Sequence, residues 1–314
     1  MVQRSGNGQS IQQLIAKNQK RTFKNIIEKG MPLFFIMAAL ISVITTLGIV
    51  FTLIFETIEF FKRVSIVEYL SGTEWYPFSG SNPTFGVLPL VLGTLKVTII
   101  AIAVAVPLGL AVAIYLTEYA TDRTRRIIKP ILEVLAGVPT IVYGFFALTF
   151  VTPVLQTIIP SLKLFNALSP GIVVGIMILP SIISLSEDAM SSVPNGIREG
   201  ALALGATKLE VSLKVVLPAA LSGIMASIVL GISRAIGETM IVSLAGGATP
   251  TFDFNITGSI QTMTAYIVQV SSGDAGFGTT IYYSMYAVGF TLFIFTLMMN
   301  LVAHYISKRF REEY

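Results

Sequence analysis

Apolar residues in this chain come in long uninterrupted runs, not in the alternating pattern of half-buried strands or the narrow stripe of amphipathic helices. Residues 31–55 carry no charge over 25 positions. At a rise of about 1.5 Å per residue, about 20 residues cross a hydrocarbon core about 30 Å thick, so this run predicts a membrane-spanning helix. A cleaved leader has a shorter apolar core near its start, whereas here a polar, basic segment precedes the run, and an uncleaved first span is expected. Further runs at 87–117 (interrupted only by Lys96), 134–159, 167–186, 217–245 and 279–306 bring the predicted spans to six. An even number places both termini on one side. No tandem repeat or low-complexity tract interrupts the series.

Composition agrees with this pattern. Of 314 residues, 54% are hydrophobic and 12% charged, with a mean hydropathy of +0.78. Soluble domains average about 25% charged residues, so half the usual charge is missing. The chain is all-α and polytopic. It has no cysteine and a single histidine, His304. Thiol nucleophiles, disulfides, cysteine-ligated metals and histidine-based triads therefore lack their raw material. His304 itself suits the inner interface of the last span. The net charge of +4 is read by loop, because position matters more than sum in a membrane protein.

With the amino terminus inside, residues 1–30 hold six Lys or Arg, residues 118–130 four, residues 187–216 three and residues 307–314 three. Only Lys62, Arg63 and Lys163 fall outside, and Lys96 and Arg234 lie within spans. The excess of inside cations predicts cytoplasmic termini. The organisation expected is a basic segment at 1–30, the first span and an outer loop at 31–85, a five-helix core at 86–306 and a tail at 307–314.

Two outer segments, about 56–86 and 246–278, exceed simple connectors. The first carries Trp75, Tyr76 and Phe78, rings suited to a membrane interface or to docking an external partner. The glycine-rich stretch from Ser271 to Gly278 reads as a loop ahead of span six.

The inner segment 187–216 is punctuated for two helices. Pro194 suits a helix start, Gly205 suits the left-handed residue that ends one, and Thr207 with Glu210 fits a capping box. The second helix is expected to run straight into span five. Such a protrusion either transmits force from a cytoplasmic partner or is an ordinary helical loop.

Charges within spans narrow the chemistry. Arg234 and Glu238 stand four apart in span five, which predicts one helix face where they pair or share a polar cavity. Insertion of an arginine at mid-helix costs about 2.5 to 3.5 kcal/mol, so it should face the bundle interior. The pair is either a structural salt bridge or an anion station, in which a guanidinium fork matches phosphate-like oxygens. Gly137, Pro139 and Gly144 weaken helix regularity beside Thr140 and Tyr143, whose hydroxyls suit a polar path; a packing kink is the alternative. Lys96 either attracts an anion at the entrance or snorkels to the interface. Glu133, after Pro130, reads as a carboxylate at a helix start.

The segment Glu199-Gly200-Ala201, three residues, Gly205, nine residues and Val215-Val216-Leu217-Pro218 resembles the EAA loop of ABC importer permeases. Gly200 replaces the first alanine and Val215 an isoleucine. The wider chain, from about Gly86 onward, resembles the phosphate ABC importer permeases. Leu132-Glu-Val-Leu-Ala-Gly-Val-Pro-Thr-Ile-Val-Tyr-Gly144 looks like their third-span signature and Ser233-Arg-Ala-Ile-Gly-Glu-Thr-Met240 like their charged fifth-span motif. The Gly-Glu-Thr-Met sequence, the extended amino terminus and Thr262-Met-Thr-Ala265 resemble the PstC-type subunit more than its PstA-type partner.

The resemblance implies a permease subunit in a prokaryotic plasma membrane, with Arg234 and Glu238 in a phosphate pathway and Arg198, Glu199, Gly200, Ala201, Gly205 and Pro218 in an ATPase-coupling loop. It implies a PstA-type permease, two PstB-type ATP-binding subunits and an extracytoplasmic PstS-type phosphate-binding protein as partners. This chain needs no cofactor, since ATP and magnesium would sit on the ATPase, and no G-x-x-x-x-G-K-[ST] loop occurs here. It does not act on nucleic acid. Another oxyanion, sulfate or molybdate, is the nearest rival cargo. A proton-coupled carrier using Glu133 or Glu238, or a nontransporting receptor, is the rival class.

Overall fold

The computed structural model describes residues 22–80 and 82–309. The basic segment 1–30 and the tail 307–314 therefore fall largely outside the described residues, as does the side chain of His304. Two compact units are present, Met1–Phe55 and Glu56–Tyr314.

Helix α1, Thr22–Phe61, carries the apolar span Gly30–Phe61, whose residues up to Phe55 belong to the first unit. Within that unit its apolar side chains, Phe34, Phe35 and Ile44 among them, are exposed all round, as suits a helix solvated by lipid.

The second unit continues past the end of α1 with a short helix α2, Ile66–Ser71, and a two-stranded antiparallel hairpin, β1 Trp75–Tyr76 and β2 Thr84–Phe85, in which Trp75 faces Phe85. Helix α3 is Leu88–Ile114, extended by a π-helical turn to Tyr119. Helix α4 is Asp122–Gly137. Helices α5, Thr140–Phe146, and α6, Thr152–Ile158, flank a π-helical turn and form one span. Helix α7, Leu168–Ser191, is the most enclosed span. The inner loop contains α8, Asn195–Ala203, then α9, Lys208–Val211, a π-helical turn and α10, Leu217–Ala219. Helices α11, Leu221–Ile236, and α12, Met240–Ala245, follow. The outer segment holds α13, Met263–Gln269, and the chain closes with α14, Thr280–Arg309.

Among the described residues five helices are long and apolar enough to cross a membrane, and the number rises to six if the pair Lys208–Ala219 and Leu221–Ile236, bent by 73°, is one span. The expectation of a second loop helix running straight into span five is corrected by this bend. Pro218 has no amide hydrogen to continue the ladder, and the preceding π-helical turn already departs from α geometry. Span five, expected over 217–245, ends its main helix at Ile236 and restarts at Met240. Span three begins at Thr140, not at 134. Residues 122–137 form a separate helix with no buried residue, because Val138 and Pro139 adopt extended backbone. Glu133 is consequently near the end of α4, not at a helix start; the start is Asp122, capped by Thr121.

The core centres on α3 against α7. Ala101 and Ala105 face Val174, Met177 and Ile178, all buried. Gly175 sits so close that an added Cβ would lie 2.9 Å from the Ala101 carbonyl oxygen, so the two backbones meet through a small residue. Ser186 and Ser227 share a hydrogen bond of 2.8 Å between α7 and α11. Such contacts hold helices together where lipid removes the hydrophobic drive.

A second cluster is aromatic. Phe60, Tyr69, Trp75, Phe85 and Tyr266 are buried in a chain of edge-to-face pairs, with Trp75 and Tyr266 centroids 4.9 Å apart. Each such pair contributes about 0.5–1.5 kcal/mol beyond its buried area. The buried phenols are satisfied by Thr291 at 2.7 Å and Ser284 at 2.6 Å. Trp75 is therefore a core residue and not an interfacial anchor, while Tyr76 and Phe78 remain exposed. The segment 246–278 is more than an outer connector: residues 260–266 are all buried, and Gln261 lies against Gly93 of α3.

Candidate functional site

The break between α11 and α12 is built by three residues, Gly237, Glu238 and Thr239. Glu238 is 8% exposed, and its Oε1 accepts hydrogen bonds from Met240 N at 3.1 Å and Ile241 N at 3.3 Å. A carboxylate on the free amides of a helix start is favoured by both hydrogen bonding and the helix dipole. Its own carbonyl accepts a 2.7 Å hydrogen bond from Thr264 Oγ1, which ties the break to α13.

Arg234 lies in the last turn of α11 and is exposed in this chain; its Nη1 donates to Ser181 Oγ on α7 at 3.1 Å. The expected pairing with Glu238 on one helix face is not formed. The helix ends before Glu238, so the spacing of four no longer brings the two side chains together, and the carboxylate is engaged by amides. Among the described residues no acid forms an ion pair with Arg234. A guanidinium in that condition can receive an oxyanion or a partner's carboxylate.

Thr140 opens α5 and is half-buried, and Tyr143, 8% exposed, donates its phenol to the Leu135 carbonyl at 2.9 Å across the Val138-Pro139 break. That bond commits the Tyr143 proton to holding α4 against α5. At Gly144 an added Cβ would come within 3.1 Å of the Met240 carbonyl oxygen, so α5 packs directly on the restart of span five.

Lys96 is buried, and its Nζ donates to Asp253 Oδ1 at 3.0 Å and Asn255 O at 3.1 Å. It neither snorkels nor stands free: it anchors the outer segment. The hydrogen bond from Lys96 holds the Asp253 carboxyl below the usual carboxylate range.

In the segment 187–216, Gly205 has φ +89°, a conformation that an L side chain rarely adopts, and the Thr207–Glu210 capping box is complete. The amide of Thr207 donates to Glu210 Oε2 at 3.0 Å, and Lys214 Nζ lies 3.2 Å from Glu210 Oε1. Glu199, Gly200 and Pro218 are exposed and Ala201 is half-buried. Arg198 points the other way. Its guanidinium donates to Met190 O at 2.6 Å, Val193 O at 2.5 Å, Asn195 Oδ1 at 3.0 Å and Glu118 Oε1 at 3.2 Å. It joins α8 to the ends of α7 and the second span. Val193, Val211 and Val216 bury with Ala113 beneath it.

Four residues that the sequence reading did not single out complete these arrangements: Glu118, Ser181, Glu187 and Asp253. Glu187, 2% exposed, lies 2.6 Å from Lys129 Nζ and 3.6 Å from Arg125 Nε. The partners are separated by tens of residues along the chain, and the only local signal is an acid at the inner end of an apolar run. Among the described residues no group of three or more His, Cys, Asp or Glu has a metal-holding arrangement.

The profile of the family described as "Binding-protein-dependent transport system inner membrane component" matches residues 105–312. The chain is 33% identical to the probable ABC transporter permease protein YqgH of Bacillus subtilis, over 98% of this chain and 99% of that one. It is also 33% identical to the phosphate transport system permease protein PstC of Mesorhizobium japonicum, over 77% and 78%. Among solved structures, a bacterial ABC transporter involved in alginate import has a subunit of the same fold, with a TM-score of 0.65 at 15% identity over 93% of this chain and 100% of that one. The chain belongs to the binding-protein-dependent transport system inner membrane component family.

Proposed function

We propose that this chain is the permease subunit of an ATP-driven importer of inorganic phosphate, of the PstC type. As a family member it is a multi-pass membrane protein and not itself an enzyme; ATP is hydrolysed by a separate chain, and a binding protein delivers the solute. The observation that carries the cargo assignment is Arg234: exposed at the end of α11, beside a break in span five, held by one serine hydroxyl and free of any ion pair with an acid among the described residues. A phosphate dianion fits a guanidinium fork with two parallel hydrogen bonds. Relatives named as phosphate permeases support this reading.

The finer assembly follows the same reading. A PstA-type permease completes the pathway, two PstB-type subunits bind ATP and magnesium, and a PstS-type protein docks outside. Both termini are cytoplasmic, which puts the segment 187–216 against the ATPase as an EAA-type coupling loop. ATP closes the nucleotide-binding dimer, Glu199 to Gly205 move with it, and the tightly packed α8–α11 unit opens the pathway outward; hydrolysis resets it. Phosphate is never covalently attached. Glu238 acts as the cap that fixes the break beside Arg234.

The test is uptake of radiolabelled phosphate by the reconstituted complex. Arg234→Gln lowers uptake at least tenfold while the complex still assembles. Loss of assembly instead assigns Arg234 to structure. Uptake undiminished by excess unlabelled phosphate, yet suppressed by sulfate or molybdate, overturns the cargo.

A further inference from the structure

Beneath Arg234 a cavity of about 300 Å³ lies among α4, α7 and α11, lined by Ser181, Ser184, Glu187, Lys129 and Glu133. It begins at the very hydroxyl that Arg234 touches. A second cavity of about 470 Å³ shares Lys129 and Glu133 with the first and adds Arg125, Arg126 and Asp122. Through these shared residues the polar groups run from Ser181 to the end of α4 that carries Asp122, with acids interspersed among the cations, while the rest of the first cavity's wall is apolar, Leu132, Ile183 and Leu230 among it. We propose that the first cavity is a second oxyanion station, a release site for the transported anion, in which Ser181, Ser184 and Lys129 hold the ion and Glu187 competes with it for Lys129. This inference rests on the pathway reading of Arg234.

The charge balance is what a release site requires. A cavity lined by cations alone would retain an anion, because electrostatic attraction grows as water is excluded. Here Lys129 and Arg125 each have an acid at hand. Lys129 Nζ is 2.6 Å from Glu187 Oε2 and 3.9 Å from Asp188 Oδ1, and Arg125 Nε is 3.6 Å from Glu187 Oε1. Lys129 meets Glu187 through one charged contact at the end of a flexible four-carbon stem, and its rotatable ammonium can turn to another anion. Glu187 then keeps Arg125 as its partner, so its buried charge is never left alone. That matters, because an uncompensated buried carboxylate is strongly unfavourable. When the ion leaves toward Arg125 and Arg126, Glu187 recaptures Lys129 and Glu133 discourages return.

The experiment is inhibition of uptake by inorganic phosphate preloaded on the ATP side of proteoliposomes containing the whole transporter. In the wild type, internal phosphate slows uptake. Lys129→Gln raises the phosphate needed for half-inhibition by about tenfold or more, as expected when one charge-assisted contact is lost. Lys129→Arg restores it. Glu187→Gln removes the competitor and lowers the half-inhibiting concentration by about tenfold. Opposite displacements in the two neutralising variants are the signature. A purely structural ion pair moves both in the same direction, and this result, an unchanged half-inhibiting concentration in both, or a wild type indifferent to internal phosphate overturns the station. If Lys129→Gln fails to assemble, the sign of the Glu187→Gln change decides. Arg234→Gln run in parallel separates the two claims: normal uptake in that variant defeats the pathway reading, whereas lost uptake with unaltered internal inhibition in the cavity variants defeats the inner station alone.

Discussion

Arg198 gives the sharpest test of how the inner loop is held. Its guanidinium makes four polar contacts, to two main-chain carbonyls, one amide oxygen and Glu118, with the arginine side chain 15% and the glutamate 12% exposed. Truncation to alanine leaves a largely buried carboxylate without its cation. Breaking a buried pair costs about 3–5 kcal/mol, and because water reaches the exposed Asn195 side of the cluster, about 3 kcal/mol is the figure to expect. The loss falls on the attachment of α8 rather than on the bundle, whose core lies elsewhere. One decade in an equilibrium constant is about 1.4 kcal/mol, so the local opening that exposes α8 becomes about 100-fold more frequent. Hydrogen exchange of the amides from Gly200 to Leu204 reads this directly, and phosphate imported per ATP should fall with it. A double-mutant cycle with Glu118→Gln should return a coupling of about 1–3 kcal/mol. Exchange in α8 accelerated less than threefold by Arg198→Ala, with transport per ATP unchanged, would show that α8 is held by its apolar contacts alone and refute the reasoning.

Other consequences follow from single features. Gly205→Ala forces a Cβ into φ +89° and costs about 1–2 kcal/mol, which should appear as weaker capture of the ATPase subunit in a pull-down with the bundle still folded. Glu238→Ala strips the cap from α12 and lowers stability by about 1 kcal/mol, whereas Glu238→Gln, which keeps an acceptor, loses much less; the thermal midpoint of the detergent-solubilised complex distinguishes them. Asp253 has a depressed pKa in the folded chain, so its contribution is present above the ordinary aspartate value of about 3.9 and disappears as pH falls through the lower folded value. Exchange at the Asn255 amide should therefore rise on acidification below that range, and Lys96→Met should make it high at every pH.

How much of this was legible in the chain itself divides along a physical line. Membrane insertion, the all-helical class and most of the spans follow from the length of apolar runs, because a lipid core admits almost nothing but helices and the run length sets the crossing. The two-helix inner loop was also readable, since Gly205 and the Thr207–Glu210 box act within a few residues of backbone. The cost of a charge in lipid was enough to single out Arg234, but its exposure in this chain, where the bundle interior was expected, was not legible.

What the sequence could not decide is where long-range contacts override local pattern. The run 217–245 reads as one helix, yet it bends at Ala220 and breaks after Ile236, where Thr264 from a segment 26 residues on satisfies the Glu238 carbonyl. A spacing of four implied that Arg234 and Glu238 pair or share a polar cavity, and the pairing is absent because spacing translates into contact only while the helix continues. Trp75 looked like an interfacial ring because its sequence neighbours are polar and aromatic, and it is buried because Phe85 and Tyr266 close over it. Lys96 finds Asp253 across 157 residues. Local chemistry writes the helices, the caps and the membrane; the choice of partner for each buried charge is made by packing, since only the folded chain sets which distant groups come within a few ångströms.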